Sequence, residues 1–127
     1  MRPAADRGSA SLLAVVMFPV LFLAVGLVFD GGQVLATRRE VIGDAESAAR
    51  LAADEADPFS GVLDQGTAET VARAVAVARA GERVVAVRVV GRRVEVVLAA
   101  TAHEVFFPMF GLEPATVIET GSAEVRR

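Results

Sequence analysis

The chain contains no cysteine, lysine, asparagine, tryptophan or tyrosine, and one histidine, His103. Without thiols there is no disulfide framework, no thiolate metal site and no cysteine nucleophile. One imidazole cannot build a multi-histidine metal centre. The 13 basic side chains are all arginine and are outnumbered by 16 acids, for a net charge of −3, which argues against a general nucleic-acid binder. What the chain has in excess is apolar residues, 54% of 127, with a mean hydropathy of +0.49. Since 23% of residues are charged, the apolar surplus must be segregated. The length allows one domain, or a membrane anchor with one small domain.

Residues 8–29, GSASLLAVVMFPVLFLAVGLVF, carry no charge. As a helix, these 22 residues cover roughly 33 Å at 1.5 Å each, enough for a hydrocarbon core of about 30 Å. A core helix of this kind would need more protein around it than the chain supplies. The stretch exceeds a signal-peptide apolar region of about 7–15 residues, and no A-x-A site follows it, so a retained anchor is expected. Pro19 lies inside it and removes one helix hydrogen bond. Arg2, Arg7 and the amino terminus flank one side, Arg38 and Arg39 the other. Charge alone therefore leans only weakly towards a cytoplasmic amino terminus. Asp30 at the exit reads as an interfacial charge, a helix-pair contact or the end of the span, the first being the usual case.

Beyond the span, residues 30–57 predict an amphipathic helical extension ended by Pro58. Val34, Val41, Ala45, Ala48, Ala52 and Ala56 share one face, and so much alanine would let a partner backbone approach closely. Gly31 and Gly32 are a candidate hinge. Residues 58–127 read as a small domain. A connector at 58–66 leads to a helix over 67–80, with Thr67 as N-cap, Gly81 as stop and Val71, Ala74, Val75 and Ala78 as its apolar face. Residues 84–99 predict a hairpin with a type II′ turn at Gly91-Arg92, pairing Val90 with Arg93, Val89 with Val94, Arg88 with Glu95, Val87 with Val96 and Val85 with Leu98. Residues 103–112, HEVFFPMFGL, predict a short helical turn or loop capping the sheet, with Phe106, Phe107 and Phe110 in the core. Contact of these rings with the membrane surface is the alternative. A third strand over 115–125 has Gly121 as a candidate bulge.

The sequence offers no catalytic constellation. Ser60 and Ser122 lack a nucleophile-elbow pattern, and Ser9 and Ser11 fall in the span. His103-Glu104 has no second histidine four residues on, and Gly31-Gly32 belongs to no phosphate-binding motif. Asp54, Glu55 and Asp57 lack EF-hand spacing and read as a solvated helix end. No catalytic, cofactor-binding or metal residue is assigned, and neither nucleic acid nor a small-molecule substrate is expected.

Arg7-Gly8-Ser9, an uncharged span with Pro19, then GLVFDGG and a long alanine-rich helix occur here in an order that resembles the TadE/TadG-like proteins, pilin-like components of tight-adherence (Flp) pilus assembly, in their actinobacterial form. The exit motif G-L-x-x-D-x-G falls on Gly26, Leu27, Asp30 and Gly32. The resemblance implies an α+β, pilin-like fold: a long amino-terminal helix, half membrane and half amphipathic, then a helix on an antiparallel sheet of about three strands. It implies a non-enzymatic, single-pass protein of the cell membrane, with residues 1–7 cytoplasmic and the domain outside, packing against other pilin-like or Tad assembly proteins. Residues 40–127 carry 14 acids and 9 arginines, which suits a solvated external domain. Gly8 and Ser9 are the candidate processing site. Prepilin-type substrates usually carry Glu at the fifth mature position, where this chain has Leu13, so an uncleaved anchor is expected. The alternatives are a membrane-anchored extracytoplasmic binding module unrelated to pili and an accessory subunit of a membrane enzyme.

Overall fold

A computed structural model of the chain describes residues 6–126, and their side chains from Gly8 onward. Residues 1–5 of the expected cytoplasmic basic start lie outside the described residues, as does the side chain of Arg7. Six elements follow in order: α1 (Asp6–Asp54), α2 (Gln65–Ala78), β1 (Glu82–Val90), β2 (Arg93–Thr101), α3 (Phe106–Met109) and β3 (Thr116–Glu124). The fold is α+β, as expected.

The span and the amphipathic stretch form one continuous 49-residue helix, about 73 Å long at 1.5 Å per residue. Gly31 and Gly32 are helical within it rather than a hinge. Helix α1 stops at Asp54, four residues before Pro58. Its last turn tightens into i→i+3 bonds, from Glu55 N–H to Ala52 O and from Ala56 N–H to Ala53 O. Asp57 then rebuilds the chain as a loop. Its Oδ1 accepts from the N–H groups of Phe59 (2.9 Å) and Ser60 (2.7 Å) and from the Ser60 hydroxyl. A residue before proline disfavours helical backbone, and an aspartate that folds back on the next amides offers the chain another conformation.

The strands form an antiparallel meander in the order β1-β2-β3. The turn follows the expected geometry: Gly91 has φ +60° and no described non-glycine residue has positive φ, which is the type II′ pattern. The pairs from Val90–Arg93 to Val87–Val96 form in the expected register. The last one does not. An irregularity between Val84 and Ala86 pairs Val84 with Leu98, leaving Val85 51% exposed. This bulge near the free edge lets Val84 join the core in its place. Strand β3 pairs with β2 without interruption, Gly121 opposite Val96, so Gly121 is not a bulge.

Both helices cover one face of the sheet, α1 across β2 and β3 and α2 beside it over β1. Val94, Val96 and Leu98 of β2 are fully buried against Ala45, Ala48, Ala49 and Ala52 of α1 and Ala68 and Ala72 of α2. Each large side chain contributes about 1.5–3 kcal/mol by leaving water. Helix α2 is rotated and shifted from expectation. Its N-cap is Asp64, which accepts from Thr67 N–H at 3.1 Å. Its buried face is Ala68, Ala72 and Ala76, flanked by Val71 and Val75, whereas Ala74 and Ala78 are exposed. The cap lets Gln65 reach the edge of β1, donating to Val87 O (2.8 Å) and accepting from Val89 N–H (3.1 Å). These bonds occupy edge groups that would otherwise be open to another strand.

The reason for Gly121 is proximity. A Cβ there would overlap the backbone of Ala45 and Glu46, so the axis of α1 can lie this close to β3 only over glycine. Gly121→Ala is expected to destabilise the domain by about 1–3 kcal/mol or more through overpacking against backbone. Gly43→Ala, where the added Cβ meets nothing within 4 Å, is expected to stabilise α1 by about 1 kcal/mol. Thermal unfolding of both variants in detergent micelles checks the opposite signs.

Candidate interaction site

The sequence-derived stripe lies against the chain's own domain. Val41, Ala45, Ala48 and Ala52 are buried under the sheet and α2, while Val34 and Ala56 are half-buried. The close backbone approach that so much alanine permits is made here to β3, within one molecule. At the other end of α1, Gly8 and Ser9 are helical and exposed.

Among the described residues, Asp30 is the one fully buried polar side chain. It is not a solvated interfacial charge. Oδ1 accepts from Val105 N–H at 2.9 Å, and Oδ2 from Phe106 N–H at 2.9 Å and Phe107 N–H at 2.7 Å. These are the first amides of α3, which have no acceptor within so short a helix. Val105 at the N-cap position supplies no side-chain bond. Asp30 thus caps a helix 75 residues away, from the flank of α1.

This bond set places the segment after β2. The loop closes at a neck, where Ala102 N–H donates to Ala115 O (2.9 Å) and Glu104 accepts from Ala115 N–H (3.2 Å). From there it runs down α1. The Phe106 ring meets Phe22 and Phe29 edge to face, with centroids 5.4 and 5.8 Å apart. It lies over Gly26, where a Cβ would come within 2.8 Å of its Cγ. The exit motif is therefore a receptor for the 103–112 segment: Gly26 makes room for the ring and Asp30 holds the amides. Gly32 has open space around it and takes no part. The segment does not cap the sheet, and Phe106 and Phe107 are only half-buried while Phe110 is exposed. The sequence reading missed Val105, Phe106 and Phe107 as partners of Asp30. The available signal was an acid at the end of an apolar run together with a Phe-Phe-Pro helix start lacking a polar N-cap.

A second electrostatic feature lies beside the sheet. Glu82 opens β1 next to Asp44 and Glu40 of α1, and Arg79 reaches Asp44 at 3.0 Å. Burial and, after it, the charge of Asp44 push the Glu82 carboxyl up to about 7, with Arg79 opposing. Once protonated, the buried Glu82 carboxyl has Asp44 as its acceptor, and this hydrogen bond adds to the rise.

The arrangement defines a class: among the described residues one helix is long and apolar enough to cross a membrane, and it is continuous with the wall of a small α+β domain. Residues 8–55 match the Tad family model, described as "Putative Flp pilus-assembly TadE/G-like". The match runs along α1 and includes Gly26 and Asp30, in the stretch that carries the sequence resemblance. No curated protein and no solved structure matches the chain.

Asp30→Ala strands three part-buried donors. It is expected to lower the melting temperature by several degrees and to shift the amide resonances of residues 105–107 upfield in micelle NMR, with those of β2 little changed. For Glu82, a folded pKa raised above the unfolded value means that the folded state holds the extra proton. Stability therefore falls as pH rises from about 4.5 to 7 and levels off above. Glu82→Gln should flatten that slope and stabilise the protein at pH 8 by on the order of 1 kcal/mol, after discounting for solvent screening. Melting temperatures across this range measure both effects.

Proposed function

We propose that this protein is a membrane-anchored, non-enzymatic component of Flp pilus assembly or its associated secretion system, with its amino terminus cytoplasmic and the α+β domain outside. The observation that carries the reading is the family match along α1. It is supported by a pilin-like layout, in which one long helix continues from an apolar span into the wall of a small domain. The acidic domain suits an aqueous compartment, and the opposed Arg2 and Arg7 suit a cytoplasmic start.

Helix packing with other pilin-like subunits has a defined surface in this proposal. The alanine stripe is covered and the Gly26 side is taken by Phe106. The face opposite Gly26, formed by Leu13, Met17, Leu21, Ala24 and Val28, is exposed and follows helical spacing. In a bilayer such a face associates through packing rather than through exclusion of water. Cleavage after Gly8 would release this helix from its basic start, whereas retention of residues 1–8 would make the protein a permanent anchor.

The test is photocrosslinking in native membranes with a photoreactive residue at Leu21 or at Ala48. Position 21 is expected to capture other pilin-like or Tad assembly proteins and position 48 only its own chain. Absence of such adducts from position 21 and its neighbours would favour an anchored binding module. Intact mass of the extracted protein decides between Met1 and Ser9 as the first residue.

A further inference from the structure

The contact between Phe106 and the span conflicts with a domain that stands wholly in water. The segment 105–112 lies against Phe22, Leu23, Gly26 and Leu27 of α1. Phe22 precedes Asp30 by eight residues, about 12 Å down the helix. If water reached this level, the apolar run left below it would be residues 8–21. Those 14 residues cover about 21 Å, well short of a hydrocarbon core of about 30 Å. The whole run from Gly8 to Phe29 spans only if the Phe106 segment enters the apolar layer beside it.

The segment is built for that environment. Its outward side chains, Met109 (71% exposed), Phe110 (57%) and Leu112 (57%), are apolar and continue the exposed apolar surface of Leu23 and Leu27. From residue 105 to 112 there is no charge. Backbone polar groups in hydrocarbon must be satisfied within the protein, and here they largely are. The N–H groups of residues 105, 106 and 107 donate to Asp30. Those of Phe110, Gly111 and Leu112 donate to carbonyls of Phe107 and Pro108, and Pro108 has no N–H. Between this segment and α1 lies an almost wholly apolar groove of about 190 Å³, lined by Leu23, Gly26, Leu27, Phe106, Phe110 and Leu112 among others.

We infer that residues 105–112 form a second membrane contact, a wedge held by Asp30 that dips into the leaflet next to the domain and presents Met109, Phe110 and Leu112 to lipid acyl chains. The wedge fixes the domain against the bilayer surface at two points, so that it cannot turn about α1 independently of the membrane. Its partner is lipid hydrocarbon, because the surface it extends is that of the span itself.

The inference rests on membrane insertion of α1, and the test separates the two. The chain has no tryptophan, so single-tryptophan variants report one site each. Phe18→Trp lies in the middle of the span. Phe59→Trp, 98% exposed and just past the far end of α1, reports the aqueous end of the domain. Phe110→Trp and Met109→Trp report the wedge at exposed positions that tolerate a larger ring. The full chain is reconstituted in phosphatidylcholine vesicles containing lipids brominated at shallow, middle or deep acyl positions, and acrylamide probes access from water. The expected result is that Trp emission at 109 and 110 is blue-shifted and loses most of its intensity to shallow-brominated lipid. Deep bromines should quench position 18, and only acrylamide should quench position 59. Acrylamide quenching at 109 and 110 like that at 59, with position 18 still quenched by lipid, overturns the wedge while leaving the anchor intact. Shielding of 109 and 110 from both quenchers overturns it in favour of a covering protein surface. Failure of lipid to quench position 18 overturns the anchor and the wedge together.

Discussion

One helix must satisfy two environments in succession, and the rest of the molecule is arranged around that constraint. Over its first half α1 presents large apolar side chains on nearly every face, which suits a solvent of hydrocarbon. Over its second half it carries a stripe of alanine on one face and charge on the other, so a single face is buried and the rest meets water. Save for the one that Pro19 removes, a helix of 49 residues supplies its own internal backbone hydrogen bonds in both settings, which no extended segment could do. The domain is then folded onto the helix: its sheet and second helix have no core without the alanine wall, and the wall has no cover without them.

The handover between the two halves is managed by Asp30. A carboxylate at this depth is costly unless its lone pairs are occupied, and the start of a four-residue helix is costly unless its amides are. Each solves the other's problem. The pairing also explains why the loop after β2 leaves the sheet and descends along α1, since Phe106 can meet Phe22 and Phe29 edge to face only where Gly26 leaves the surface low. The same device, glycine beneath a close neighbour, recurs at Gly121, where β3 meets the backbone of α1. In both places a missing Cβ sets how near two elements come, and so the orientation of the domain on its helix.

Local features were legible. The apolar run, the alanine periodicity, the type II′ turn and the Arg88–Glu95 register each depend on residues within a few positions, and the structure follows them. The misreadings share one cause. Helix α2 took Asp64 rather than Thr67 as its cap because the face it buries was chosen by α1 and β1. Val85 left the core because the free edge of β1 could bulge. Gly121 looked like a bulge because the sequence cannot show that a helix passes over it. The Phe-rich loop reads as a cap on the sheet because nothing near it in sequence announces a partner 75 residues earlier.

By itself, the sequence determined that this protein has a span-length apolar helix, an alanine-rich continuation and a small α+β domain, because hydrophobic period and turn chemistry are local properties. Only the tertiary structure decided that the alanine stripe is internal, that Asp30 is a cap rather than a surface charge, and that the aromatic segment returns to the span. Those outcomes depend on which buried groups find partners across long sequence separations. Burial makes an unpartnered polar group or an overlapping Cβ expensive, and only the assembled fold brings such pairs within reach.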